Sequence, residues 1–282
     1  MKKDQRYIEI ELCADCQAKC TFCPRQHLKR NTTILSIEKL NIILQQIKTI
    51  DEKITIFFTG NGEPLLNKDG LFFALQNLAD APNRDKLRLI LTTNGRLIDE
   101  AFIKNPLIAQ IDRLDISAAG YNTKDYARQY LCSWQETLQK ILALRKAWPQ
   151  LTINVKAVNY RRIHLLPLRR NEIFLSCREH NILYSQPKIF NIGGLLYKTG
   201  IVNTPEMIAT CACQIFVSSD GLYVWCPVDF EQKNILASIE QVPLIEIMNR
   251  IRPGCHYPEM CKHCDIPQQN KHRNRSDIKQ KI

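Results

Sequence analysis

A chain of 282 residues, 45% of them hydrophobic, can build one large core plus an appendage, and 10 Gly with 13 Pro exclude a low-complexity protein. No apolar run approaches the roughly 18 residues of a membrane span, and no signal-peptide core follows the charged start MKKDQR, so the chain reads as cytoplasmic. The net charge of +11 sits partly in Lys271-His272-Arg273-Asn274-Arg275, Lys279 and Lys281, where no aromatic residue interleaves, so this reads as a solvated tail and argues against nucleic acid as partner.

Strand-like and helix-like segments then alternate. Residues 7–12 place Ile8, Ile10 and Leu12 at period two, a strand, and 36–50 place Leu40, Ile43, Leu44 and Ile47 on one helical face. Strands at 54–58, 87–91, 114–116, 151–158 and 183–190 alternate with helices at 71–79, 97–103, 135–147 and 168–180. About six βα units imply an α/β fold, a parallel sheet with helices outside, as a partial (β/α)6 TIM-like barrel over residues 1–190. In such a barrel the chemistry sits at the C-terminal ends of the strands. The pattern breaks after Phe190. Residues 191–267 read as a small Cys-rich α+β extension, in which Asp220-Gly221 between apolar runs marks a hairpin and 244–251 a helix, and 268–282 as the basic tail.

A reducing cytosol makes clustered cysteines a metal signal rather than a disulfide framework. Cys16-x3-Cys20-x2-Cys23 directly follows the first strand. Three thiolates hold three irons of a [4Fe–4S] cube and leave the fourth open, whereas a zinc site would need a fourth ligand such as Cys13; spacing alone leaves both readings. Cys13 otherwise reads as a strand-end core residue. In a second group, a pair drawn from Cys211, Cys213 and Cys226 around the hairpin joins Cys261-x2-Cys264, a four-thiolate set suited to zinc or to iron–sulfur. Cys132 and Cys177 stand alone and read as small hydrophobes. Cys255 reads as structural or as a further ligand.

The first group resembles the hallmark of the radical S-adenosylmethionine (SAM) superfamily, C-x3-C-x-aromatic-C, with Phe22 as the aromatic. The resemblance runs for about 190 residues. Gly60-Asn61-Gly62-Glu63-Pro64 after the second strand is similar to the family's Gly-rich SAM segment, Thr93-Asn94-Gly95 to its T-N-G element, and Ser117 to the polar position after the fourth strand. The resemblance implies a [4Fe–4S] cluster on Cys16, Cys20 and Cys23, with SAM bound by Phe22, Gly60, Gly62, Glu63, Asn94 and Ser117. In relatives the fourth strand often continues as Ser-x-Asp-Gly; here it is Ser117-Ala118-Ala119-Gly120, without the acid. The second group resembles a SPASM or twitch extension. Cys211, Gly221 and Cys226 fit its spacing, and no cysteine follows Cys264, which implies one auxiliary [4Fe–4S] cluster on Cys211, Cys226, Cys261 and Cys264, with Cys213 competing for the first position. Asp229 falls where relatives approach that cluster, a candidate acid or base. The implied activity is reductive cleavage of SAM to a 5′-deoxyadenosyl radical that abstracts hydrogen from a peptide or protein, with an electron donor of flavodoxin or ferredoxin type. The alternatives are a radical dehydrogenase of a small molecule and a non-catalytic zinc or nucleic-acid-binding protein.

Overall fold

The computed structural model describes residues 5–29, 32–120, 122–158, 170–187, 200–208, 214–251 and 256–266. Strands β1 (Gln5–Glu11), β2 (Lys53–Thr59), β3 (Leu87–Thr93), β4 (Arg113–Ala119), β5 (Thr152–Val158) and β6 (Leu183–Ser185) pair in parallel, each with the next. The helices between them are α1 (Ile37–Lys48), α2 (Lys68–Ala79), α3 (Glu100–Lys104), α4 (Thr123–Tyr130), α5 (Trp134–Ala147) and α6 (Glu172–Glu179). In the C-terminal part follow α7 (Pro205–Ile208), β7 (Gln214–Val217), β8 (Leu222–Val224), β9 (Ile235–Ser238), α8 (Leu244–Arg250) and α9 (Glu259–Lys262). The strand order is β6-β5-β4-β3-β2-β1-β7-β8-β9, so the parallel sheet is unclosed among the described residues, a partial barrel. No described helix is long and apolar enough to cross a membrane.

Strand alternation separates the two faces of the sheet. Ile8, Ile10 and Leu12 join Ile54, Ile56, Phe58, Leu89, Leu91, Leu114 and Ile116 in the core beneath the helices. On α1 the same core receives Leu40, Ile43, Leu44 and Ile47, and Ser36 caps the helix by accepting from Lys39 N. Cys177 is fully buried in that core, and Cys13 is buried at the end of β1, each as a small hydrophobe.

The described residues after 190 do not form a sheet of their own. β7 lies parallel to β1, with Glu9 opposite Phe216, and the β7–β8 hairpin turns at Asp220-Gly221, where Gly221 takes φ +82°. Gln46 of α1 fastens this segment: its Oε1 accepts from Tyr223 Oη at 3.0 Å and from Leu244 N, and its Nε2 donates to Ile239 O. α4 has no counterpart in the sequence expectation. Its buried residues are Tyr126, Gln129 and Tyr130, which carry no aliphatic period.

The concave face, opposite the helices, carries buried charge. Glu9 is buried there and its Oε2 accepts from Gln214 Nε2 at 2.8 Å. Burial foremost, then the charge of Glu11, pushes its carboxyl up to about 8. Between the ordinary carboxylate pKa and about 8 the folded chain therefore binds a proton that the unfolded chain lacks. The stability so gained is complete at acid pH and is lost as pH rises through the folded value. Urea titrations should show wild type losing stability from pH 5 to pH 9 by on the order of a few kcal/mol more than Glu9→Gln does; parallel profiles would contradict the assignment.

Candidate functional site

The C-terminal ends of β1 to β5 surround a cavity of about 460 Å³, within the usual range of small-molecule sites. Cys16, Cys20 and Cys23 line it. So do Phe22, Gly60, Gly62, Glu63, Asn94 and Ser117, every cofactor-binding position expected from the sequence. Burial raises all three thiols, Cys20 to about 12, where the neighbouring Cys23 and Cys16 add to the effect. The metal-free thiols are thus protonated at neutral pH, and a metal must displace those protons.

The loop that carries them is fixed from several sides. Ala18 N and Asn94 Nδ2 donate to Cys16 Sγ at 3.4 and 3.8 Å. Arg25 spans the loop, donating to Ala14 O at 3.2 Å and Cys16 O at 3.3 Å and pairing with Asp15. α4 grips it from behind: Gln129 accepts from Thr21 N through Oε1 at 2.7 Å and from Lys19 N through its carbonyl at 3.0 Å. Tyr130 lines the cavity and hydrogen-bonds to Cys20. Three thiols on one wall, N–H donors aimed at sulfur and an adjacent guanidinium form a donor set that fits an iron–sulfur cube with one iron open.

The glycines Gly60 and Gly62, besides lining the cavity, allow close packing within the chain. A Cβ on Gly62 would stand 2.2 Å from Cys13 O and 2.4 Å from Asp15 O, and one on Gly60 (φ +129°) 2.7 Å from Glu11 Cβ. Both let the Gly-rich segment pack on the chain's own backbone beside the cysteine loop, where Glu63 N donates to Asp15 O at 2.7 Å. Glu63 is buried, and its carboxylate accepts from Thr93 Oγ1 at 2.6 Å, Asn94 N at 2.8 Å and Leu65 N at 3.0 Å. It ties the second strand end to the third, so its charge serves positioning. Burial still raises its pKa against these three bonds. Glu11 makes the matching link to the C-terminal part, accepting from Asn61 N at 2.9 Å and from Ser219 N and Oγ at 3.1 and 2.9 Å.

Phe230, from the C-terminal segment, lines the cavity. Its neighbour Asp229, the candidate acid or base, is buried and faces its own loop: it accepts from Lys233 N at 3.1 Å and from Asn234 N and Nδ2 at 2.7 and 3.0 Å. Asn234 Nδ2 also donates to Met260 Sδ at 3.5 Å, bringing the loop after Cys226 beside the helix that carries Cys261. Asn203 Nδ2 donates to the carbonyls of Cys261 and Cys264 at 2.8 and 2.5 Å and so shapes the C-x2-C turn. Cys211, Cys213 and Cys255 lie outside the described residues. Among the described residues no three His, Cys, Asp or Glu side chains form a site for a single metal ion. Cys132 stands behind the cysteine loop, 3.7 Å from Thr137 Oγ1.

Residues 10–162, just over half the chain, match the family model of the Radical SAM superfamily. The chain belongs to the radical SAM superfamily. Members of this superfamily are enzymes, and membership implies a [4Fe–4S] cluster and SAM. The sequence is 29% identical over 154 residues to an AdoMet-dependent heme synthase of Methanosarcina barkeri; the match spans 52% of this radical SAM chain and 41% of that relative. Among solved structures, SuiB of Streptococcus suis bound to its precursor peptide SuiA is similar with a TM-score of 0.67 at 14% identity, covering 92% of this chain and 69% of SuiB. Native anSMEcpe with bound AdoMet is similar with a TM-score of 0.64 at 17% identity, over 86% and 79% of the two chains. BtrN in complex with AdoMet and 2-DOIA is similar with a TM-score of 0.57 at 20% identity, over 99% and 92%. At these identities the likeness is one of fold.

Proposed function

We propose that this radical SAM enzyme holds its [4Fe–4S] cluster on Cys16, Cys20 and Cys23 and binds SAM in the adjoining cavity, with a peptide or protein as substrate. The observation that carries this reading is the convergence of three thiols, the Gly60–Glu63 segment, Asn94 and Ser117 on one cavity. When bound, the reduced cluster and SAM supply a carbon radical that takes a hydrogen atom from the substrate. The chain's own residues do the positioning. Asn94 and Ala18 direct N–H groups at Cys16 sulfur, Gln129 and Arg25 fix the loop, and Glu63 holds two ligand-facing segments in register. Phe230 contributes an apolar wall that excludes water.

Residues 1–190 would form the SAM-binding barrel, and 191–267 an extension of SPASM or twitch type that carries one auxiliary [4Fe–4S] cluster on Cys211, Cys226, Cys261 and Cys264. A peptide substrate is supported by the peptide bound to SuiB and by the Cp18Cys peptide bound to anSMEcpe. A small-molecule substrate is the second reading, favoured by BtrN, whose structure with 2-DOIA corresponds over nearly the full length of both chains. The net charge of +11 suits an acidic electron carrier of flavodoxin or ferredoxin type. Metal analysis after anaerobic reconstitution should give about eight irons per wild-type chain, from two four-iron cubes. Cys226→Ala should retain about four and still cleave SAM. Four irons with zinc in wild type would remove the auxiliary cluster from the assignment.

A further inference from the structure

Below the cavity, the concave face of the sheet carries charge where parallel barrels usually pack branched apolar side chains. Asp115 on β4 is fully buried. Its Oδ2 accepts from Arg113 Nη2 at 3.0 Å and stands 3.4 Å from Lys156 Nζ, while its Oδ1 accepts from Asn154 Nδ2 at 2.9 Å. One anion therefore faces two cations, whose side chains keep 29% and 34% of their exposure. Arg113 Nε is buried without a hydrogen-bond partner among the described residues, an uncommon state for a charged donor. Glu9, across the sheet on β1 and within electrostatic reach of Lys156, is held largely protonated at neutral pH and leaves the positive excess in place.

The position of this cluster points to a ligand. Lys156 is the register partner of Ser117, and Val158 follows it on the same face. Ser117 and Val158 both line the cavity, so Lys156 stands level with its wall, and its ammonium group reaches Asp115 at 3.4 Å. The single carboxylate of Asp115 balances the charge of one of these two cations and leaves that of the other. The side chains of Arg113 and Lys156 are 29% and 34% exposed on this face and provide donors for an incoming oxyanion, and such donors recognise carboxylate and phosphate alike.

We propose that Lys156 and Arg113 bind an oxyanion of the substrate, a carboxylate or a phosphate, on the concave face of β4 and β5 below the cavity. The inference rests on the reading of that cavity as the SAM site, since it places the substrate beneath the ligand. The test is calorimetric titration of the anaerobically reconstituted, SAM-bound holoprotein at pH 7 and constant ionic strength, with potassium acetate in one arm and inorganic phosphate in the other. Wild type is expected to bind at least one of the two. Lys156→Met and Arg113→Met should each weaken that binding at least tenfold, and Lys156→Arg should stay within threefold of wild type. Heat from acetate alone assigns a carboxylate; heat from phosphate alone assigns a phosphate. In Lys156→Met, Asp115 keeps Arg113 and Asn154 as partners, so the buried carboxylate is not stranded, and Lys156→Arg checks the fold independently. No heat from wild type with either anion, or equal affinity in wild type and Lys156→Met, overturns the proposal. Failure of the SAM reading has a separate signature: wild type would bind no SAM before any anion is added.

Discussion

Cys20→Ala is expected to reduce formation of 5′-deoxyadenosine from SAM to background, in reconstituted protein assayed with dithionite by chromatography. Tyr130 and the carbonyl of Gln129 face Cys20, and both other cysteines of the group perturb it. Two remaining thiols cannot hold a cube at three corners, so the loss should be complete rather than graded, with about four irons fewer per chain. Cys177→Ala is the control. That thiol is fully buried in α6, away from the cavity, and its removal should cost some stability while leaving SAM cleavage intact. Wild-type 5′-deoxyadenosine yield from Cys20→Ala would place the cluster elsewhere.

The second large effect is expected from one methyl group. Gly62→Ala would set its Cβ 2.2 Å from Cys13 O and 2.4 Å from Asp15 O, and both obstacles are backbone. No rotamer relieves such a clash, so the Gly-rich segment and the cysteine loop must separate. Overpacking of this kind costs about 1–3 kcal/mol. The functional loss should exceed what that cost implies, because the separation breaks the Glu63 N to Asp15 O bond and shifts the backbone just before Cys16. Ala in place of Gly70 offers a milder comparison, since its Cβ would meet mainly the side chain of Asn67. The readouts are iron content and SAM affinity by equilibrium dialysis. Native affinity in Gly62→Ala would show that the two loops are not interdependent.

The parts of this site that could be read from sequence are those encoded locally. The cysteine spacing, the Gly-rich segment and Asn94 each follow a strand by a few residues, and strand ends converge in a parallel sheet whatever the rest of the chain does. Features that depend on distant partners were not legible. Phe230 reaches the cavity because β7 pairs with β1, a contact across about two hundred residues that no local period announces. α4 escaped because its buried side chains are Tyr126, Gln129 and Tyr130, polar by type and buried for what they hold, although Asn122 is a good N-cap signal. Glu63 was visible as a carboxylate in a motif, but its orientation toward Thr93 and Asn94 rather than a ligand required coordinates. The surroundings of Asp229 were hidden for the same reason. Its proximity in sequence to Cys226 suggested chemistry, whereas its carboxylate closes a turn onto Lys233 and Asn234. In Lys156 and Asp115 the alternation of β4 and β5 was evident, yet only the register between those strands brings the two charges together.

The most direct measurement is SAM turnover by the wild-type protein, reconstituted with iron and sulfide without oxygen and reduced with dithionite. The account predicts 5′-deoxyadenosine and methionine in equal amounts, dependent on the reductant and on Cys16, Cys20 and Cys23. Protein that carries its full complement of iron and leaves SAM intact under these conditions would contradict it.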